Sequence, residues 1–326
     1  MPSARTVIIR AQGGPEVFEL AERDVPAPAA GEVTVEQHAA GLNFIDVYQR
    51  SGLYPMQLPA AMGMEAAGVV TAVGEGVVHL RPGDRVAYAA NPPGAYAAAR
   101  TMPAAQVCPL PDGISFDEGA AMMLKGMTAW YLCRRTYRVK KGDTIVVHAA
   151  AGGVGQILCQ WAKHLGATVI GTVGSDEKVA LAKKVGCKHV VVMSREKLSE
   201  RVKAITKGKG VPVVYDGVGK DTFMESLDCL QPRGIMASFG NASGAVPPVN
   251  IGILAQKGSL FLTRPTLVNY TSSREDLLAA ARELFAVVKK GAVKIAVNQR
   301  YPLREAAQAH RDLESRKTTG STVLLP

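Results

Sequence analysis

Asp143-Thr-Ile-Val-Val-His-Ala-Ala-Ala-Gly-Gly-Val-Gly155 and its continuation Gln156-Ile-Leu-Cys-Gln-Trp-Ala-Lys-His-Leu165 form the most informative run in this chain. Asp143 to His148 is β-branched and apolar and predicts a buried strand. Gly155 to Leu165 carries apolar residues at helical spacing, and Gly166 ends that helix. Between them, Gly152, Gly153 and Gly155 form a turn with no bulk to keep a pyrophosphate from the backbone or the helix from the sheet. Free amides and the helix dipole at that turn favour negative charge. A strand, a glycine turn and a helix in this order predict a dinucleotide site.

Downstream, strands at Thr168 to Thr172, His189 to Val192, Val211 to Tyr215, Gly234 to Phe239 and Ser259 to Thr263 alternate mostly with helical patterns. That alternation predicts repeated βαβ units and a doubly wound parallel sheet. A last helix covers Arg274 to Lys289. From Val7 to about Leu124 the texture differs: short apolar runs such as Glu32-Val-Thr-Val-Glu36, Gly68-Val-Val-Thr-Ala-Val73 and Asp84-Arg-Val-Ala-Tyr88 are punctuated by Gly and Pro. The same irregular texture returns over Gln299 to Pro326. The expectation is an α/β chain in two parts. A β-rich domain spans 1–127 and 298–326, and a Rossmann domain spans 128–297.

The 326 residues, 47% of them apolar, are ample for two cores. No stretch approaches the roughly 18 uninterrupted apolar residues of a membrane span, and Met1 to Arg10 lacks the apolar core of a secretory signal. Five cysteines, at 108, 133, 159, 187 and 229, make neither a disulfide framework nor a Cys-x-x-Cys clip. A reduced, cytoplasmic location is expected. The net charge of +10 raises the alternative of an RNA-binding protein, but no RNA-recognition signature or aromatic-interleaved basic stripe accompanies it. A solvated positive surface that attracts a phosphorylated cofactor accounts for the charge.

The second predicted strand leads into Val173-Gly174-Ser175-Asp-Glu-Lys178. An NAD enzyme places an acid at the strand end to hold the ribose hydroxyls, whereas an NADP enzyme leaves that spot neutral with a base nearby. Ser175 and Lys178 offer a hydroxyl and a point charge to a 2′-phosphate, which favours NADPH. The competing reading takes Asp176 or Glu177 as the ribose acid, although both lie past the strand end.

With these residues in place, the chain resembles the quinone oxidoreductases of the medium-chain dehydrogenase/reductase superfamily, in the zeta-crystallin-like branch and nearest its bacterial members. The resemblance runs end to end. It rests on Gly13-Gly-Pro15, Gly41-Leu-Asn-Phe-Ile-Asp46, Gly52-Leu-Tyr-Pro55, Glu65-Ala-Ala-Gly68, Pro82-Gly-Asp-Arg-Val86, Leu124-Lys-Gly126, His148 to Gly155, Ser238-Phe-Gly-Asn241, Thr263-Arg-Pro265 and Leu313-Glu-Ser-Arg316. It implies a GroES-like catalytic domain built from both chain ends around an inserted Rossmann domain, with NADPH in the cleft. It further implies a homodimer, for which the Ser259 to Thr263 edge strand is the expected contact, since pairing also covers an exposed edge.

The resemblance also implies site residues. Asn43, Phe44, Ile45, Asp46, Tyr48 and Tyr54 line the nicotinamide and substrate end, with Thr128 and Tyr131 on the facing domain. Gly152, Gly153 and Val154 take the pyrophosphate, and Gly174, Ser175 and Lys178 the adenosine phosphate. Phe239, Gly240, Asn241, Ala242, Thr263, Arg264, Pro265 and Arg316 supply the remaining cofactor contacts. Met193 departs from the pattern, standing where related enzymes can place a tyrosine beside the adenosine phosphate.

The zinc alcohol dehydrogenases of the superfamily hold their metal with an early cysteine, a histidine before glutamate and a later cysteine. Here Asn43 and Met64 stand at the first two positions, and the four-cysteine structural lobe is missing. No zinc is expected. A quinone or other conjugated carbonyl needs only hydride and a proton, so the acceptor carries the difficult chemistry. Asn43 can orient the carboxamide or the acceptor carbonyl, and the hydroxyl of Tyr48, Tyr54, Thr128 or Tyr131 can donate to developing oxygen charge. Asp46 reads as a loop hydrogen-bond acceptor or a general acid. The rival within enzymes is a zinc-independent NADPH reductase of enones or 2-alkenals.

Overall fold

A computed structural model describes residues 2–326. The chain forms two compact units. The first runs through Met127 and takes in Thr271–Lys289 and Ile295–Pro326; the second comprises Thr128–Tyr270 and Lys290–Lys294.

The second unit is built on a six-stranded sheet whose strand pairs are all parallel. Its order is Cys187–Val192, Thr168–Val173, Thr144–Val147, Val211–Asp216, Leu230–Ser238 and Phe261–Thr263. The order runs one way from the first strand and then the other, so Thr144–Val147 sits at the reversal. Crevices that accept nucleotides open at the carboxyl ends of strands at such a point. Its residues Ile145, Val146 and Val147 are fully buried, because a parallel sheet covered on both faces wants a continuous apolar run rather than alternation. Val146, Ile170, Val191, Val214 and Met236 pack with Leu198, Val202, Phe223 and Leu227 from the crossover helices. The last strand is shorter than its sequence suggested: Ser259 takes a left-handed φ of 55°, and pairing begins only at Phe261.

In the first unit, a seven-stranded sheet joins Val297–Pro302, Ser321–Leu325, Glu32–Leu42, Glu65–Val73, Arg85–Ala89 and Cys108–Pro109, with Ala99–Pro103 pairing to Glu32–Leu42. A smaller sheet pairs Phe18–Asp24, Ser3–Ile9 and Ala60–Ala61. Strand Ser321–Leu325 pairs antiparallel with Glu32–Leu42, so the carboxyl-terminal segment rejoins this unit. Helix Arg274–Lys289, which the sequence reading puts in the Rossmann domain, packs here instead. Arg274 Nη1 donates to the carbonyls of Ala104 and Ala105, each 3.0 Å away. Leu284 lies so close to Gly126 that an added Cβ would meet its Cδ1 at 2.6 Å. Helical periodicity marks such a segment but does not say which core its apolar stripe covers. Among the described residues, no helix is long and apolar enough to cross a membrane.

Candidate functional site

In the second unit the chain leaves strand Thr144–Val147 through Ala149, which adopts φ 50°. Thr172 of the neighbouring strand secures that turn: its carbonyl accepts from Ala150 N at 2.9 Å, and its Oγ1 accepts from Ala149 N at 3.2 Å. The helix that follows spans Gly153–His164, starting earlier than its periodicity suggested. Gly152 is its N-cap, extended and without a side-chain capping bond. The first-turn amides of an α-helix have no partner within the helix, so here they are left to an outside acceptor. At Gly155 an added Cβ would lie 2.2 Å from the Ala149 carbonyl oxygen, which explains the glycine sterically. The expected pyrophosphate residues Gly152, Gly153 and Val154 therefore form one turn at the carboxyl end of the central strand.

Strand Thr168–Val173 opens into Gly174, where an added Cβ would meet nothing within 4 Å. Ser175 then caps the single turn Asp176–Lys178 through its backbone, with no side-chain capping bond. The structure thus brings Gly174, Ser175 and Lys178 into one stretch. It also adds Arg195, which the sequence reading did not identify. Arg195 Nη2 lies 2.7 Å from Asp176 Oδ1, and this pairing holds the Asp176 carboxyl below its ordinary range and the guanidinium above its own. Asp176, the alternative ribose acid, is already engaged.

Beyond the next strands lie Phe239–Ala242 and Thr263–Pro265. Ala242 N donates to the Gly217 carbonyl at 3.2 Å, and Arg264 Nη1 donates to the carbonyls of Ser238 and Gly240 at 2.9 and 3.0 Å. Arg264 is therefore a brace between two loops. Phe223, Ser238, Asn241, Val246, Leu262 and Arg264 line a cavity of about 320 Å³. Beneath these loops runs a buried network. His148 Nδ1 is 3.1 Å from Thr172 Oγ1 and its Nε2 is 2.9 Å from Ser226 Oγ, which donates to Asp216 Oδ2 at 2.9 Å. Asp216 Oδ1 accepts from Val218 N and Gly219 N. Burial holds the His148 imidazole below its ordinary pKa. The network ties the glycine turn to the 217–219 loop. Thr128 and Tyr131 are buried, and Tyr131 stacks on Tyr270 with ring centroids 4.6 Å apart.

In the first unit, helix Phe44–Ser51 begins with a reciprocal cap in which Asn43 N donates to Asp46 Oδ2 at 2.8 Å. Asn43 Nδ2 donates to Glu65 Oε1 at 2.9 Å. Glu65 also accepts from Leu124 N at 2.7 Å and Lys125 Nζ at 2.8 Å, all in a fully buried position. Asp46 is likewise fully buried; desolvation pushes its carboxyl up to about 7, against the pull of the Tyr96 hydrogen bond. Phe44 and Ile45 are half-buried, while Tyr48 meets Tyr54 edge to face at 5.2 Å. Arg316 lies in this unit, exposed, at φ 60° after helix Ala306–Glu314.

At the first two zinc positions of the alcohol dehydrogenases that the chain resembles stand an amide from Asn43 and a thioether from Met64, and the Glu65 carboxylate beside Met64 already accepts from three donors. Among the described residues, no three His, Cys, Asp or Glu side chains gather where they could hold a metal. Lys125, Tyr96 and Arg195 escaped the sequence reading. For Arg195 a signal existed: it stands 19 residues after Asp176, the span that a helix needs to bring the next parallel strand alongside.

Residues 29–112 match the Alcohol dehydrogenase GroES-like domain family, and residues 153–286 match the Zinc-binding dehydrogenase family. A quinone oxidoreductase of Pseudomonas aeruginosa is 53% identical over 324 residues, covering 99% of this chain and 100% of the relative. A 2-haloacrylate reductase of Burkholderia sp. is 46% identical, with 98% of each chain covered. The crystal structure of Escherichia coli quinone oxidoreductase complexed with NADPH superposes with a TM-score of 0.97 at 52% identity, covering 99% of this chain and 100% of that one.

Proposed function

The chain belongs to the quinone oxidoreductase family of the medium-chain dehydrogenases and reductases, and from that membership we propose that it reduces quinones with NADPH and without a metal. The observation that carries this reading is the uncapped helix start at Gly152–Gly153, set at the strand-order reversal of the parallel sheet. The residues present fit NADPH: Gly155 permits the close turn, Gly174 leaves open space, and Ser175 and Lys178 offer a hydroxyl and an ammonium.

Bound NADPH supplies the hydride, and one proton completes the hydroquinone. In the second unit, Gly152, Gly153 and Val154 hold the pyrophosphate, and Gly174, Ser175 and Lys178 hold the adenosine phosphate. Phe239, Gly240, Asn241, Ala242, Thr263, Arg264 and Pro265 shape the remaining wall, with Tyr131 at the nicotinamide. In the first unit, Asn43, Phe44 and Ile45 orient the reacting ring, and Arg316 adds a cofactor contact. A hydroxyl of Tyr48, Tyr54 or Thr128 donates to the developing phenolate oxygen. Asp46 sets the Asn43 backbone and stands as the nearby store of a proton. The independence from zinc is supported by Glu65, whose oxygens are taken by Asn43, Leu124 and Lys125.

A homodimer through strand Phe261–Thr263 is part of the proposal. That strand is outermost in its sheet, with Phe261 60% and Leu262 41% exposed, and pairing with a twin would cover both edge and apolar surface. Five free, buried cysteines suit the reducing cytoplasm. A second reading, reduction of an activated carbon–carbon double bond, is favoured by the similarity to 2-haloacrylate reductase. A panel of quinones and conjugated enones, incubated with NADPH under anaerobic conditions and analysed for products, separates the two. One hydroquinone per NADPH is the expected result. Saturated enones with untouched quinones would transfer the assignment to the second reading, and turnover of neither would overturn both.

A further inference from the structure

We propose that Arg195 and Asp176 act together as the element that selects NADPH over NADH, an inference that rests on the NADPH reading above. Strands Thr168–Val173 and Cys187–Val192 are parallel neighbours with Val173 opposite Val192, and Met193 N donates to the Val173 carbonyl at 2.9 Å. The residues just past each strand end therefore lie side by side, Gly174 to Asp176 along one and Met193 to Arg195 along the other. A tight turn holds the second segment: Arg195 N donates to the Val192 carbonyl at 3.1 Å, and Val192 N donates to Glu196 Oε2 at 2.9 Å. Glu196 in turn pairs with Arg201 at 3.1 Å. This fixed turn points the Arg195 guanidinium at Asp176 with two prongs, Nη2 to Oδ1 at 2.7 Å and Nε to Oδ2 at 3.3 Å.

Both side chains are well exposed, 58% for Arg195 and 67% for Asp176, so water and salt weaken their attraction. A 2′-phosphate carries more charge than one carboxylate and offers three acceptor oxygens to the planar guanidinium fork. In competition for Arg195, the phosphate wins. With NADH no phosphate is present, Arg195 stays on Asp176, and the acid nearer the strand end is withheld from the ribose hydroxyls. A single pair thus assists one cofactor and denies the other its usual carboxylate. Arg195 also supplies a phosphate ligand at a strand end where Met193 has none to offer.

Calorimetric titration of the full chain, its Arg195→Ala, Arg195→Lys and Asp176→Ala variants tests this with NADPH, NADH, adenosine 2′,5′-bisphosphate and adenosine 5′-monophosphate. Neither probe of the second pair can turn over, so binding is read apart from activity. Arg195→Ala should weaken NADPH and the bisphosphate about tenfold or more while leaving the monophosphate unchanged and NADH unchanged or tighter. Arg195→Lys should retain part of the preference, and Asp176→Ala should tighten NADPH roughly three- to tenfold. Matching unfolding midpoints without ligand exclude misfolding as the cause. If the parent chain prefers NADPH but Arg195→Ala binds NADPH and the bisphosphate as the parent does, this assignment fails and the cofactor reading stands. A parent chain that binds both dinucleotides equally, or neither, would overturn the cofactor reading and this assignment with it.

Discussion

The Tyr96 hydroxyl donates to Asp46 Oδ2 across 2.8 Å in a fully buried position, and the Tyr96 hydroxyl oxygen lies 3.2 Å from His310 Nε2. A carboxyl and an imidazole thus share one phenol, and burial moves their titrations in opposite senses. Asp46 is pushed up to about 7 from 3.8, with desolvation the main cause; His310 is pushed down to about 3 from 6.5, again chiefly by desolvation. Glu65 raises and Lys125 lowers the Asp46 value, while Arg50 lowers that of His310.

The consequence for stability follows from linkage. Asp46 binds more protons folded than unfolded, so its contribution is full below about pH 3.8 and is lost as pH rises through about 7. His310 binds fewer, so its contribution is full above about pH 6.5 and is lost as pH falls through about 3. Between about pH 4 and 6.5 the two slopes oppose, each of order 1.4 kcal/mol per pH unit at most. Urea midpoints measured across that window should show Asp46→Asn losing stability on acidification more steeply than the parent, and His310→Gln losing it on alkalinisation. Parallel pH profiles for all three proteins would refute the coupling.

Lys125 is the one cation paired with the buried Glu65 carboxylate among the described residues. Lys125→Met should therefore cost about 3–5 kcal/mol, because an uncompensated charge stays in the core. Adding Glu65→Gln should recover part of that loss. Equilibrium denaturation decides it; a loss under about 1 kcal/mol for the single variant would mean that water reaches Glu65.

Two glycines of the proposed cofactor bed should differ in what alanine does to ligand-free stability. At Gly155 the new methyl would press on the Ala149 carbonyl oxygen at 2.2 Å, so Gly155→Ala should destabilise the ligand-free protein by about 1–3 kcal/mol and weaken NADPH as the turn shifts. At Gly174 nothing stands within 4 Å, so Gly174→Ala should leave the ligand-free unfolding midpoint unchanged while weakening NADPH several-fold. Unaltered NADPH affinity in Gly174→Ala would remove that residue from the site.

The edge strand offers a direct test of association. Phe261 is 60% exposed on the outermost strand, and Phe261→Glu puts a charge from each copy into a twin contact along that strand. Light scattering after size exclusion should find the parent as a dimer and the variant shifted toward monomer. A parent that runs as a monomer at all concentrations would dismiss the edge contact.

Much of the architecture was legible because local chemistry and global placement agree. The β-branched run of Thr144–Val147, the glycines at 152, 153 and 155, and the helical spacing after them are each readable within a few residues. The strand order around them follows from alternation of strands and helices. The family resemblance, carried by motifs from Gly13 to Arg316, is matched by the identity to curated relatives over nearly the whole chain. Boundaries were less legible where tertiary packing overrides periodicity. Gly153 already belongs to its helix, pairing at the last strand waits until Phe261, and Arg274–Lys289 joins the first unit.

The sequence by itself determined the two folding textures, the dinucleotide turn and the unsuitability of Asn43 and Met64 as zinc ligands, since these depend on residue type and near-neighbour spacing. Only the tertiary structure decided what Glu65, Asp46 and Asp176 do. Each is an ordinary acid in one dimension. In three, Glu65 meets Lys125 from 60 residues away, Asp46 meets Tyr96 from 50, and Asp176 meets Arg195 from 19. Partners brought together by sheet pairing and chain return set the charge and reach of a carboxylate, because electrostatic interactions act through space and burial, not along the chain.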